Sequence, residues 1–98
     1  MKTQKELEKI ALEDEDWFCR CKAIQKLTNQ ELLEKIALEH EDWRSRSVAI
    51  EKITNQKILE KIVDEDEDWF CRCEAKERLS ELREDEIKVL YKYKNKSR

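Results

Sequence analysis

Glycine and proline are both missing from this 98-residue chain. Average chains carry roughly 7% glycine and 5% proline, so their joint absence excludes hairpin-rich β folds, phosphate-cradling glycine loops and proline-rich linkers. Long apolar runs are missing too. No stretch approaches the roughly 20 residues of a membrane span. The N-terminus, MKTQKELEKI, is charged and amphipathic where a signal peptide would be apolar. A surplus of one charge is also lacking: 21 basic and 24 acidic residues leave a net charge of −3. That balance does not suit a protein gripping nucleic acid with its whole surface. Histidine occurs once, in a charged stretch, and no nucleophile–base constellation accompanies it. The chain is therefore expected to be neither an enzyme nor a cofactor carrier, and to work in the cytoplasm away from membranes. There its four cysteines would be reduced thiols.

What is present favours helix. Leu, Ile, Ala, Glu, Lys, Gln and Arg dominate, and all lose little conformational freedom in a helix. Sliding the chain against itself gives a period of 26 residues, marked by Trp17, Trp43 and Trp69. Residues 4–29, 30–55 and 56–81 are three copies of one unit, with about two thirds of positions shared between the first and either of the others. Such self-similarity implies stacked units, none able to bury its apolar face alone. In each unit Leu7, Ile10 and Ala11, or their equivalents, predict a first helix, A. Trp17, Ala23, Ile24 and Leu27 predict a second, B. Asp16, Asp42 and Asp68 precede the tryptophans, where a carboxylate caps helix B. Thr3 with Glu6, and Thr28 with Glu31, have the capping-box spacing for helix A, whereas Thr54 faces Lys57. The fold class is all-α.

The recurring Asp-x-x-Cys/Ser-Arg segment, with Ala and Ile at fixed offsets, resembles the core of HEAT-type repeats, particularly the short PBS-lyase-like variety. The resemblance covers residues 4–81. It implies an α-solenoid whose Asp and Arg side chains form a ladder between repeats: Asp16/Arg20, Asp42/Arg46 and Asp68/Arg72. Independently, the helical wheel puts Arg20 inside the apolar arc of helix B, where it needs a carboxylate. The resemblance also implies that helix B lines the concave face. Three repeats are expected to close with polar ends: Glu6 stands where Leu32 and Ile58 stand, and Asp64 and Lys76 replace Leu12/Leu38 and Ile24/Ile50. Beyond residue 81, Leu82, Ile87, Leu90 and Tyr91 predict a C-terminal capping helix over about 82–94, separate from the last helix B or continuous with it.

Four groups of residues are candidates for chemistry or binding. Cys19/Cys21 and Cys71/Cys73 suggest a zinc or iron–sulfur site, but residues two apart on a helix diverge by about 200°. The pairs also lie two repeats apart, at ~10 Å per helix layer. Ser45 and Ser47 take these places in the middle unit, so a need for small side chains is the expectation, with no metal. The tryptophans are expected to plug the seam between repeats as core. Phe18, Arg44 and Phe70 would make an outward row suited to a protein interface, flanked by Lys22, Val48, Glu74, Gln25, Glu51 and Glu77. Half of the 24 carboxylates fall in the three A–B connectors, giving an acidic edge that includes Asp14, Glu15, Glu41, Asp66 and Glu67. His40 replaces Asp14 and Asp66 there and is expected to be a plain surface substitution. From Lys88 to Arg98 the chain is basic, interleaved with Tyr91 and Tyr93.

The expectation is a protein-interaction module, monomeric or weakly self-associating, that binds through helix B with the acidic edge steering a basic partner. A nucleic-acid binder using the basic tail is the alternative. A third, implied only by the family resemblance, is an accessory protein of a chromophore-lyase-like system.

Overall fold

In the computed structural model, the backbone is described over residues 2–96 and the side chains over residues 2–84. Six helices follow one another with no strand among the described residues: α1 (Gln4–Glu13), α2 (Trp17–Lys26), α3 (Gln30–Glu39), α4 (Trp43–Ile50), α5 (Gln56–Glu65) and α6 (Trp69–Lys96). Each 26-residue unit is one helical hairpin: α1 packs on α2, α3 on α4 and α5 on α6. The hairpins stand side by side in an elongated body of 57 × 34 × 18 Å. Helices α2, α4 and α6 adjoin along the stack, whereas α3 and α5 touch only lightly.

The core follows the repeat. Leu7 and Ala11 on α1 meet Ala23, Ile24 and Leu27 of the same hairpin, and Leu33, Ile36, Ala37, Ala49, Ile50 and Ile53 repeat the pattern. Leu59, Ile62, Ala75 and Leu79 complete it in the third hairpin. Leu32 and Ile58 pack against this core while Glu6 is exposed, and Lys76 is exposed where Ile24 and Ile50 are fully buried. Leu12 and Leu38 differ from expectation. Both are exposed, so Asp64 replaces a surface leucine and not a seam residue.

Side-chain caps do the work that glycine and proline usually share. Thr3 Oγ1 accepts from the Glu6 N–H at 3.2 Å. The next two A helices are capped one residue later than the threonine spacing implied. Asn29 Oδ1 accepts from Leu32 N–H, and Asn55 Oδ1 accepts from Lys57 and Ile58 N–H. Thr28 and Thr54 are instead held by Gln4 and Gln30: the glutamine Oε1 accepts from the threonine N–H, while Nε2 donates to Lys26 O or Lys52 O. Each of these glutamines ties the start of a hairpin to its end. Asp16, Asp42 and Asp68 cap the B helices as expected, each accepting from the N–H two residues on at 2.8–2.9 Å. The last helix B and the expected C-terminal helix are one continuous element, α6, of 28 residues. Leu82 packs against the core. The basic segment from Lys88, with Tyr91 and Tyr93, lies outside the residues whose side chains are described.

Candidate functional site on the helix-B face

The seam between B helices is narrow because the residues in it are small. Cys21 of α2 and Ser45 of α4 are buried within hydrogen-bonding reach of each other, and Ser47 and Cys71, at the equivalent positions of α4 and α6, are buried too. The Cys21 thiol points at Arg44 O and the Cys71 thiol at Trp43 O, 3.7 and 3.4 Å away. Cys19, on the outer side of the first described hairpin, is exposed, and Cys73 is half-buried. Burial, helped by the Asp66 charge, pushes the Cys71 thiol up to about 11. Among the described residues no three His, Cys, Asp or Glu side chains converge to hold a metal ion.

Two arginines bind the hairpins together. Arg20 spans the first seam, with NH2 2.7 Å from Asp42 Oδ2, Nε donating to Ser45 Oγ and NH1 donating to Asp14 O. Arg46 spans the second with two contacts to Asp66, at 3.1 and 3.3 Å, while NH1 donates to His40 O. The ladder thus runs between hairpins, but its acids differ from rung to rung. Arg46 takes Asp66 and not Asp68, and Arg72 reaches only the Asp66 carbonyl within its own hairpin. Asp16 and Asp68 act as helix caps, and no ion pair reaches them among the described residues.

His40 explains the difference. It occupies the position of Asp66, so Arg20 finds no carboxylate there and turns to Asp42. Nor is it a plain surface residue. It is half-buried, and its Nδ1 accepts the Asp42 N–H at 3.0 Å, as Asp14 and Asp66 accept from Asp16 and Asp68 at 2.8 Å. Burial and the nearby Arg20 charge hold its pKa below the usual histidine value. Burial alone would raise the Asp42 carboxyl. Hydrogen bonds from the Arg44 guanidinium and backbone N–H, joined by Arg20, outweigh that and bring it to about 2. The acidic edge is correspondingly reduced. Asp14, Asp42 and Asp66 are part-buried and engaged in caps or ion pairs, whereas Glu15, Glu41 and Glu67 stay exposed with Glu13, Glu39, Asp64 and Glu65 beside them.

The tryptophans overturn their expected place in the core. Trp17 and Trp43 are each 42% exposed and Trp69 is 69% exposed, alongside Phe18 at 52% and Phe70 at 43%. The indoles do lie at the seams, but on the surface. Ala11 and Ala37 are fully buried on the A helices, and only three residues join each A helix to its B helix. The next hairpin partly covers the first two rings: the Arg44 guanidinium lies 4.3 Å from the Trp17 ring centre, and Phe70 meets Trp43 edge-on at 5.5 Å. Trp69, in the last described hairpin, is the most open. Phe18 and Phe70 are exposed, and Arg44 is part-buried over the Trp17 ring. Phe18 packs edge-on to Trp17 at 5.9 Å, and the Lys22 ammonium sits 4.8 Å over Phe18.

Between α2 and α4 these side chains enclose an open groove of about 370 Å³, lined by Trp17, Phe18, Lys22, Trp43, Arg44 and Val48. In the next seam, between the end of α4 and α6, Glu51, Glu74, Glu77 and Glu81 surround a second hollow of about 330 Å³ with Arg78. A larger hollow of about 660 Å³, beside Leu7, Ile10, Cys19 and Ala23, is the uncovered flank of the first hairpin.

Sequence reasoning missed one recurring device. Lys52 Nζ donates to Leu27 O at 2.6 Å and also to Gln25 O, closing the C-terminal end of α2 from the next hairpin. Arg78 Nε donates to Ile53 O at 2.9 Å and does the same for α4. The signal was the basic residue recurring at positions 26, 52 and 78. No family model, curated protein or solved structure matches this chain. No helix among the described residues is long and apolar enough to cross a membrane.

Proposed function

We propose that this chain is a small HEAT-like α-solenoid that works by binding a protein partner on its helix-B face, without catalysis, in the cytoplasm. The observation that carries this reading is the open groove between α2 and α4, where Trp17, Phe18 and Trp43 stay exposed next to Val48 and Arg44. Large aromatics and arginine are the residues that dominate binding energy at interfaces, and contiguous exposed aromatics are costly to leave in water without such a use. The supports for a solenoid are the in-register helical hairpins, the Arg20 and Arg46 ties between them and the 26-residue period. Exposed Glu15, Glu41 and Glu67 along the connector edge add long-range attraction for a basic partner.

The test compares the wild type with two triple variants as bait in quantitative capture. One replaces Phe18, Arg44 and Phe70 with alanine. The other replaces Lys9, Lys35 and Lys61, exposed on the A helices, with alanine. The reading predicts that the bound protein disappears from the first bait and stays on the second. Equal recovery from both baits would end it.

A further inference from the structure

The helix-B face has an apolar end and an acidic end, and the pair specifies what fits it. Positions four and seven residues apart share one stripe of a helix. The stripes are Phe18, Lys22 and Gln25 on α2, Arg44 and Val48 on α4 with Glu51 just past its end, and Phe70, Glu74 and Glu77 on α6. Seven residues at 1.5 Å each separate the two ends by ~10 Å along the helices, and the step from the α2–α4 seam to the α4–α6 seam adds ~10 Å across them, so the two hollows lie ~14 Å apart.

At the apolar end the cations are already engaged: Arg44 lies over Trp17 and Lys22 over Phe18. At the other end, the hollow between Glu51, Glu74, Glu77 and Glu81 contains a single cation, Arg78. Its Nε is spent on Ile53 O and its NH1 lies 3.3 Å from Glu81. Among the described residues no ion pair reaches Glu51, Glu74 or Glu77. Glu74 and Glu51 lie within hydrogen-bonding reach of each other, and burial together with the Glu51 charge raises the Glu74 carboxyl. The free protein therefore bears a like-charge repulsion that a partner's cation relieves on docking.

We propose that this face takes a peptide segment with an apolar side chain for the Trp17–Trp43 groove and a lysine or arginine ~14 Å further on, diagonally across α4, for the glutamate hollow. That is about four residues along an extended strand or nine along a helix. The proposal rests on the helix-B face being a partner surface and assigns that partner's chemistry.

The probe is a random peptide library displayed on phage and selected on the full chain. Synthetic copies of the enriched peptides are then titrated by tryptophan fluorescence against the wild type, E51Q/E74Q/E77Q and F18A/R44A/F70A. Circular dichroism melts confirm folding, and the glutamine variant is expected to melt at or above the wild-type temperature. The expected result is enrichment of an apolar residue with Lys or Arg at one of these spacings. Affinity should fall at least about tenfold in the glutamine variant, and the difference should shrink between ~50 and ~300 mM salt. Peptides without basic residues, or basic ones that bind the glutamine variant equally well, overturn the assigned chemistry. In that case the partner surface itself stands if F18A/R44A/F70A still abolishes binding, and falls if neither variant does. Failure to enrich any peptide overturns both. Self-association of the wild type that vanishes on deleting residues 85–98 also overturns the proposal, because the basic tail of a second copy would then be the occupant.

Discussion

Asp16 and Asp42 occupy the same position of the repeat, yet the structure gives them different work, and replacing each with alanine separates the two roles. Asp16 accepts the Phe18 N–H at the start of α2, and its loss should cost about 1 kcal/mol, as for a helix N-cap. Asp42 caps α4 in the same way but also receives Arg20 from the neighbouring hairpin at 2.7 Å, with both side chains largely buried. Removing it strands the Arg20 guanidinium on Asp14 O and Ser45 Oγ, adding about 2 kcal/mol for a partly buried charge-assisted pair. The expected ratio is therefore about three to one. For a domain of this size, ~3 kcal/mol lowers the melting temperature by roughly 12–24 °C, against roughly 4–8 °C for Asp16→Ala. Asp42→Asn, which keeps a good cap, should fall between them. The Asp42 carboxyl is depressed to about 2 in the folded chain, so its contribution is fully present above the unfolded value of about 4 and is lost as pH falls toward 2. The gap between Asp42→Ala and wild type should close over that window in urea titrations followed by circular dichroism. Equal losses at the two aspartates would refute the inter-hairpin role of Asp42.

Three further outcomes follow from the same geometry. The His40 pKa is lowered on folding, so the folded chain should lose stability as pH drops below the ordinary histidine value; His40→Asp, which copies Asp14 and Asp66, should flatten the urea midpoint between pH 7 and 5. Lys52→Met should destabilise by about 1–2 kcal/mol and speed hydrogen exchange at the end of α2, whereas Lys52→Arg should restore both, since Arg78 does this work one repeat later. Native-state alkylation read by mass spectrometry should modify exposed Cys19 first and leave Cys71 protected until unfolding, because that thiol is fully buried and pushed up to about 11.

The helices and the core were legible because a 26-residue period combined with i, i+3, i+4 apolar spacing leaves little choice of partner faces. Leu7, Ile24, Leu33, Ile50 and Leu59 are all buried as that pattern requires. Where the sequence misled, the deciding contact comes from another element of the stack. The wheel puts Trp17 on the apolar arc of its helix, yet the ring ends 42% exposed at the seam, under Arg44 of the next hairpin. The cap of α3 passed from Thr28 to Asn29 because Gln4, 24 residues earlier, claims the threonine. His40 looked inert as a single substitution, yet its effect falls on Arg20, which it sends to Asp42. Phe18, Arg44 and Phe70 were legible as a set because they hold the same repeat position at the start of α2, α4 and α6. The glutamate hollow was legible only in part: Glu51, Glu74 and Glu77 recur in register, but Glu81 joins them because α6 continues where α2 and α4 stop.

The central claim, that the helix-B groove is where a partner sits, is tested most directly by NMR of the three indole N–H groups together with the aliphatic methyls. On saturation with an enriched peptide, the Trp17 and Trp43 indoles and the Val48 methyls should shift, while the Leu33 and Leu59 methyls of the buried core stay in place. Shifts confined to α1, α3 and α5, with both indoles unmoved at saturation, would contradict it.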